Sequence, residues 1–210
     1  MDGEPAHLGQ KIDPQTARVE VDGVPLPVRP DLVHYLLYKP LGVISTADDP
    51  HGRDTVVDLV PDHPRVYPVG RLDADSEGLL ILTNDGDLAN HVMHPSNGVT
   101  KTYVARVAGT PGDAAMARLR SGVELDDGPA RALQARVLSS TRTEALVELV
   151  MGEGRNREVR RLLDAVGHEV TALVRTAIGP ITDRALTAGK WRALTVDEVR
   201  SLYGVRSSPA

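Results

Sequence analysis

The sequence contains no cysteine and no phenylalanine, and only 3% of its 210 residues are aromatic. Without cysteine, disulfides and thiolate metal sites are excluded, and the composition is typical of a reducing cytoplasm. No apolar run approaches the roughly 20 residues needed to cross a bilayer, and the N-terminus lacks the apolar stretch of a signal peptide. We therefore expect a cytoplasmic protein without a membrane anchor, whose core consists of Leu, Val, Ile and Ala.

Basic residues are fewer than acidic ones, and the net charge is −5 at pH 7. This balance disfavours a nucleic-acid binder, because phosphate contacts need Lys and Arg. Residues 155–161 nevertheless hold four arginines. A nucleic-acid interface there requires the acidic residues to lie elsewhere, and we expect the acidic loops at 48–49 and 126–127 to face away from it.

The apolar patterns along the chain predict strands and helices without regular βαβ alternation. Residues 79–83 (LLILT) are apolar throughout, as in a strand covered on both faces. Residues 102–107 alternate apolar and polar side chains, as in a half-buried strand. Residues 157–166 carry apolar side chains at helical spacing, and the T-x-x-E pattern at 195–198 is a capping box. These patterns favour an α+β fold with a mixed sheet.

Residues 70–86 (GRLDADSEGLLILTNDG) place a polar loop directly before the apolar strand. Loops held by rigid strands are where reactive groups are usually displayed. This loop carries Arg71, Asp73, Asp75 and Glu77. From the residues alone, the simpler interpretation is a solvated acidic loop whose aspartates make turn hydrogen bonds.

This segment resembles the catalytic motif of the pseudouridine synthase family typified by the small-subunit ribosomal RNA enzyme. The family pattern is G-R-L-D followed by S/T-E-G-L-L-L-L-T-N-D-G. The resemblance extends in chain order over residues 32–200, through LYKPLGV at 37–43, KTY at 101–103, EGRNR at 153–157, RRL at 160–162, GH at 167–168 and IGP at 178–180. It implies the α+β catalytic fold of that family, with a central mixed, largely antiparallel sheet flanked by helices.

The resemblance implies isomerisation of a specific uridine to pseudouridine in ribosomal RNA, and we expect the target in 23S RNA. In the family the aspartate of GRLD is catalytic, and it corresponds to Asp73. A carboxylate can attack the sugar or the base covalently, or stabilise positive charge at the anomeric carbon, and the sequence does not choose among these routes. Because the reaction involves no redox step and no hydrolysis, we expect no cofactor and no metal.

Two further catalytic residues are implied by the resemblance. Arg160 is the cation expected beside Asp73, where it would keep the carboxylate ionised. Helical geometry also places Arg160 at the rim of the apolar face, with Arg157 and Arg161 roughly on the far side. Tyr103 is expected to pack against the flipped uracil and to assist proton removal from its carbon 5, although a core aromatic on its strand is an alternative.

The expected partner is ribosomal RNA, bound by a monomer. Extruding the target base from its stack costs a few kcal/mol, and Arg71 is expected to fill the gap or hold the RNA backbone. The phosphate contacts are expected from five other basic side chains: Lys39, Lys101, Arg155, Arg157 and Arg161. Glu158 stands where the family commonly has glutamine, and its charge is expected to weaken the pairing of Arg160.

Three regions are expected along the chain: an N-terminal remnant at 1–30, the catalytic domain at 31–204 and a flexible tail at 205–210. Residues 1–30 resemble only the trailing strands of the S4-type RNA-binding domain that opens many family members. Either the protein lacks the helices of that domain or its start codon lies further upstream, and we favour the second.

Two other functions also fit parts of the sequence. One is a non-catalytic RNA-binding or ribosome-assembly factor with the same fold, which the intact Asp73, Tyr103 and Arg160 argue against. The other is a carboxylate-dependent hydrolase of nucleosides or glycans, in which Asp75 or Glu77 would be the second carboxylate across a sugar. The three functions are distinguished by what they produce. A pseudouridine synthase forms pseudouridine in RNA, a non-catalytic factor only binds RNA, and a hydrolase releases free uracil or sugar.

Overall fold

The structure, a computed structural model, describes residues 3–7, 9–12, 17–21, 24–26 and 31–204. The predicted tail and much of the predicted N-terminal remnant lie outside these residues. The strands are β1 Val19–Val21, β2 Val24–Leu26, β3 His34–Lys39, β4 Tyr67–Pro68, β5 Glu77–Thr83, β6 Lys101–Ala108, β7 Val123–Leu125, β8 Gly128–Ala130, β9 Gln134–Ser140, β10 Glu144–Met151, β11 Val170–Ile178, β12 Ile181–Thr182 and β13 Trp191–Ala193. The α-helices are α1 Gly86–Met93, α2 Asp113–Ser121, α3 Glu158–Ala165 and α4 Val196–Tyr203, and short 3-10 helices occur at Val56–Leu59 and Pro95–Asn97.

One mixed sheet organises the described part of the chain. Its strand order is β13-β3-β5-β11-β6-β10-β9, with β4 paired to β5 and β12 paired to β11. The pairing of β5 with β11 is parallel, whereas the other neighbours in the sheet are antiparallel. The α+β class with a mixed, largely antiparallel sheet is therefore confirmed.

Strand β5 is buried on both faces, as its unbroken apolar sequence predicts. Leu79 and Ile81 pack in a cluster that includes residues of α1 and α4. Leu80 and Leu82 pack on the opposite face with Val56 and its neighbours. A third cluster lies between β6, β10, α2 and α3. The strand that follows the acidic loop is thus held rigidly at the centre of the protein.

Helix α4 begins at the predicted capping box of Thr195 and Glu198. Helix α2 has Gly112 as its N-cap. The hydroxyl of Thr110, just before it, donates to the carbonyl of Thr141, at 2.9 Å.

Strand β11 is central to the sheet, yet the sequence patterns described above predict no strand at 170–178. Its sequence, VTALVRTAI, is apolar and β-branched except for Arg175. That charge interrupts the run of apolar residues by which a buried parallel strand is identified. Arg175 is only 4% exposed, so this charge lies in the inner half of the strand, whereas Thr171 and Ala172 near its start are exposed.

Gly78 allows β5 and β11 to approach closely. Its φ is +113°, and a Cβ built on it would overlap the backbone carbonyl of Arg175. Any other residue would suffer both a strained backbone and a steric clash with a central strand.

We expect Gly78→Ala to destabilise the protein by about 3 kcal/mol, because positive-φ strain and overpacking add at one position. Urea unfolding measures this change in the free energy of unfolding. Gly189→Ala is the matched control, since Gly189 also has a positive φ, +76°, but open space around it. Equal destabilisation by the two substitutions would contradict the role of the close approach.

Candidate active site

An open cavity of about 610 Å³ lies where the acidic loop meets β6, β11 and the start of α3. We call it the central cavity. Its walls include Asp73, Lys101, Tyr103, Arg157 and Arg175. Several candidate residues that are far apart in sequence are therefore brought to one place.

The sheet register explains why these side chains converge. Arg175 on β11 is directly opposite Gly78 on β5 and Tyr103 on β6. Directly paired residues project to the same face of a sheet, so Arg175 and Tyr103 lie side by side in the cavity wall. Asp73 precedes β5 by a few residues and lies half-buried at the edge of the same cavity.

Backbone hydrogen bonds hold the Asp73 loop in position. The amide of Gly42 donates to the carbonyl of Ala74, at 2.7 Å. The hydroxyl of Ser45 donates to the carbonyl of Leu72, at 2.8 Å. These contacts come from the segment after β3, so the K-P-x-G sequence there has a structural role next to Asp73.

Lys39 is fully buried and does not reach the surface. Its ammonium donates to the carbonyls of Pro40, at 2.9 Å, and Ser76, at 2.8 Å. Burial lowers the pKa of Lys39 to about 8. The predicted phosphate contact of Lys39 is therefore wrong for this structure, because the side chain links two backbone segments around the acidic loop.

Arg157, not Arg160, is the arginine next to Asp73. Arg157 Nη1 lies 3.6 Å from Asp73 Oδ2. Arg160 donates to the carbonyl of Asp75, at 2.7 Å, and lies 3.4 Å from its carboxylate. The predicted pairing of Arg160 with Asp73 is wrong because Arg157 is the N-cap of α3 with φ +49°. Because residue 157 does not have helical backbone angles, its side chain does not point in the direction that a regular helix would give it, which is away from Asp73.

Asp75 is the second carboxylate of the loop, and two arginines hold it. Arg157 donates to both of its oxygens, at 3.3 and 3.0 Å. These hydrogen bonds and the nearby charge of Arg160 keep the pKa of Asp75 below its ordinary value. Asp75 is thus held by ion pairs to Arg157 and Arg160. It is poorly placed to serve as the second carboxylate of a glycosidase-like hydrolase.

Arg175 is the functional candidate that the sequence analysis missed. Its Nε donates to the carbonyl of Leu79, at 2.6 Å, while its Nη2 is buried without a hydrogen-bond partner among the described residues. An unpaired buried donor is costly, so a guanidinium held in a cavity wall in this way is suited to binding a ligand. The sequence offered one sign of this candidate, because Arg175 is a single charged residue within the apolar run before the IGP motif at 178–180.

Tyr103 both packs on the core and faces the central cavity. It is half-buried, with the core cluster beneath β6. Its hydroxyl makes no hydrogen bond with any residue that the structure describes. The ring is therefore fixed by the core, while the hydroxyl is available to a substrate.

Lys101 also lines the central cavity and is half-buried. Its ammonium donates to the carbonyl of Val92, at 3.0 Å. Burial and the charge of Arg175 lower the pKa of Lys101 to about 8. Lys101 can meet a group that enters the cavity, but it is not part of an outer phosphate-binding surface.

Carboxylates neutralise much of the predicted basic cluster. Asp127 pairs with Arg161, at 2.8 Å, and lies 3.6 Å from Arg155. Arg155 also pairs with Glu153, at 3.1 Å. The loop at 126–127 therefore lies against the basic residues and not apart from them, and any phosphate bound there would compete with these carboxylates.

Arg71 differs from the other predicted RNA contacts. It is exposed at the rim of the central cavity. Within the part of the chain that the structure describes, its guanidinium forms no hydrogen bond or ion pair. It is thus ready to bind an anion without losing a partner.

Glu158 is buried at the start of α3, at the edge of the central cavity. Its Oε2 accepts from the amide of Arg155, at 3.1 Å. Burial, together with the adjacent Glu153 carboxylate, raises the pKa of Glu158 to about 7. The Glu158 side chain holds the Arg155 backbone in place. Burial and the neighbouring Glu153 carboxylate disfavour its ionised form.

We expect Glu158→Gln to stabilise the protein at alkaline pH. In the unfolded chain the carboxyl ionises near its ordinary value of 4.5, whereas the folded protein retains the proton up to about pH 7. Folding stability is therefore lost as pH rises through this range, and Gln removes the loss.

The expected gain from Glu158→Gln is about 2–3 kcal/mol at pH 8.5 and close to zero at pH 4.5. Thermal unfolding of both proteins across this pH range measures it. A difference that does not change with pH would show that the buried carboxyl is not the cause.

Two kinds of feature are absent from the described residues. No group of three or more His, Cys, Asp or Glu side chains there is arranged to hold a metal ion. No helix in that part of the chain combines the length and apolar character needed to span a bilayer.

The fold and the sequence place the chain in a class of RNA-modifying isomerases. The sequence model of the RNA pseudouridylate synthase family matches residues 33–165, and the chain belongs to that family. The match includes Asp73, Tyr103 and the start of α3.

Relatives of known name agree with this class. An uncharacterised RNA pseudouridine synthase of Mycobacterium tuberculosis is 46% identical over 200 residues, covering 93% of this chain and 79% of the relative. The ribosomal large subunit pseudouridine synthase B of Bacillus subtilis is 44% identical over 198 residues, covering 93% and 80%. A crystal structure of a pseudouridylate synthase superposes with a TM-score of 0.73 at 27% identity, covering 96% of this chain and 86% of the other.

Proposed function

We propose that this protein converts one uridine of large-subunit ribosomal RNA to pseudouridine, with Asp73 as the catalytic carboxylate. The observation that carries the proposal is the position of Asp73 at the edge of a cavity of about 610 Å³ that also holds Tyr103 and Arg175. A pocket of this kind can receive a base extruded from its stack. The name of the Bacillus subtilis relative supports ribosomal RNA of the large subunit as the substrate.

The reaction breaks the bond between ribose C1′ and uracil N1 and forms a bond from C1′ to C5. The proton on C5 leaves and N1 gains a proton, so no atom is gained or lost overall. Asp73 would attack the sugar or the base, or stabilise positive charge at C1′. This chemistry needs no redox partner, and we propose that the enzyme acts without a cofactor or metal.

Tyr103 and Arg175 would hold the detached uracil. The Tyr103 ring packs on the core beneath β6, so it offers a fixed surface for the base and a free hydroxyl near C5. When the C1′–N1 bond breaks, its electron pair stays on uracil, and the Arg175 guanidinium would stabilise that charge in a water-poor site. Arg157, 3.6 Å from the Asp73 carboxylate, would hold that carboxylate in place.

Arg160 would act as a positioning residue. Its contact with the carbonyl of Asp75, at 2.7 Å, links α3 to the catalytic loop. RNA would be bound by Arg71 at the cavity rim, by Lys101 within the cavity, and by Arg155 and Arg161 after they exchange carboxylate partners for phosphates. Arg157 would stay beside Asp73 and Asp75.

We also propose the division of the chain into an S4-like segment at 1–30 and a catalytic domain at 31–204. The family match beginning at residue 33 supports this boundary. A monomeric, cytoplasmic enzyme fits the lack of cysteine and a ribosomal RNA substrate.

The test is to map pseudouridines in ribosomal RNA from cells with and without this gene, by carbodiimide-dependent primer extension. We expect one large-subunit position to lose its signal without the gene and to regain it when purified protein is added. Protein that binds ribosomal RNA but restores no pseudouridine would instead support a non-catalytic RNA-binding or assembly factor.

A further inference from the structure

A second open cavity, of about 540 Å³, lies next to the central one. We call it the flanking cavity. The two cavities share Gly70, Arg71 and Met93 in their walls. The other side of the flanking cavity is formed by the loop at 44–50, with Arg53 and Pro68. Its volume is close to that of the central cavity, so it also has room for one base.

Arg71 stands at the wall between the two cavities, exposed and without a partner in the described part of the chain. Neighbouring nucleotides are joined by a single phosphate, so a strand with one base in each cavity would place that phosphate near the dividing wall. A guanidinium binds phosphate through two parallel hydrogen bonds. Arg71 therefore has the position and chemistry for the linking phosphate.

Apolar surface in the flanking cavity can support a base ring. Met93 is 47% exposed although it is a large apolar side chain. The cavity adds three more apolar residues, Ile44, Pro50 and Pro68. Exposed apolar surface beside a polar opening is typical of a ligand-binding groove.

The polar chemistry of the flanking cavity depends on Asp48. Asp49 is engaged by Arg53, with 2.6 and 3.0 Å contacts to its two oxygens. The Asp48 carboxylate is exposed and has no hydrogen bond or ion pair with any described residue. A free carboxylate accepts hydrogen bonds from an exocyclic amino group, as in the readout of cytosine N4, and repels the carbonyl oxygens of uracil.

We infer that the flanking cavity binds the base next to the target uridine, with Asp48 accepting from the exocyclic amino group of that base. Arg71 holds the phosphate between the two nucleotides. The inference rests on the proposed function and extends it, because it makes the enzyme select an amino-bearing neighbour over uracil. It also reverses the expectation that the acidic loop at 48–49 faces away from RNA.

The test uses fragments of large-subunit RNA that contain the modified uridine, with cytosine or uracil at either neighbouring position. The ratio of kcat/KM for the two fragments is the readout. We expect the unaltered enzyme to prefer cytosine about 10-fold at one neighbour, the lower end of base discrimination by side chains. Asp48→Ala is expected to reduce the ratio to roughly 1, and Asp62→Ala, an exposed aspartate outside the cavity, to preserve it.

Because each ratio compares the same two RNAs, effects of the base change on RNA folding cancel between protein variants. Pseudouridine formation with the same ratio in Asp48→Ala as in the unaltered enzyme would overturn the inference, and so would equal rates on all fragments. Either result leaves the proposed function intact. The proposed function itself fails if the unaltered enzyme forms no pseudouridine in any ribosomal RNA.

Discussion

Asp73→Asn is expected to abolish pseudouridine formation, with a loss of roughly 10⁴-fold or more in kcat, the scale seen when a reacting residue is removed. The amide has nearly the same shape as the carboxylate but cannot act as a nucleophile or carry a negative charge. The side chain lies half-buried at the cavity edge, and its one close ionic partner is Arg157, at 3.6 Å. The substitution should therefore leave folding and RNA binding intact. Single-turnover pseudouridine formation measures the loss.

Asp75→Asn is the matched control, two residues away on the same loop. Asp75 is held by Arg157 and Arg160, so its loss should loosen the loop and reduce activity by about 5-fold, the upper end for an exposed charge contact. Filter binding of RNA and thermal unfolding check that both variants are folded. If Asp73→Asn keeps even 1% of the activity, Asp73 does not have the assigned role.

Arg175→Met is expected to lower kcat by roughly 10²–10³-fold with little change in KM, the scale for removing a preorganised donor from an active site. The side chain is buried, and its Nη2 has no partner among the described residues. Its charge would thus act mainly when negative charge develops on the detached uracil. Steady-state kinetics on the ribosomal RNA fragment separates kcat from KM.

Arg175→Lys tests whether charge alone is sufficient. Lys retains the charge but lacks the planar fork that reaches both the carbonyl of Leu79 and the cavity. We expect kcat to stay within 10-fold of the Met variant, because a shorter ammonium cannot make both contacts. Unfolding by urea reports the structural contribution of the residue separately. Unchanged kcat in both variants, with only lower stability, would make Arg175 a purely structural residue.

Several elements near the site were predictable from local sequence. The apolar run at 79–83 predicts a strand covered on both faces, and two core clusters pack against it. The capping box at Thr195 and Glu198 correctly marks the start of α4. The resemblance at 70–86 and at 101–103 predicted Asp73 and Tyr103 for one site, and both line the central cavity.

The carboxylate partners of the arginines were not predictable from local sequence, because they depend on a single backbone angle and on segments that are distant along the chain. The φ of +49° at Arg157 directs this side chain toward the catalytic loop, whereas a helical projection sends it away. Asp127 meets Arg161 across 34 positions of sequence, so the basic cluster read from 155–161 is largely neutralised.

The family, the acidic loop and the apolar strand behind it were predictable from the sequence, because they depend on residues that are close together along the chain. Only the folded chain shows that Lys39 is enclosed, that Arg175 lines the central cavity, and that a second cavity adjoins Arg71. Each of these follows from strand pairing and loop packing between remote segments. Local patterns do not contain such long-range contacts.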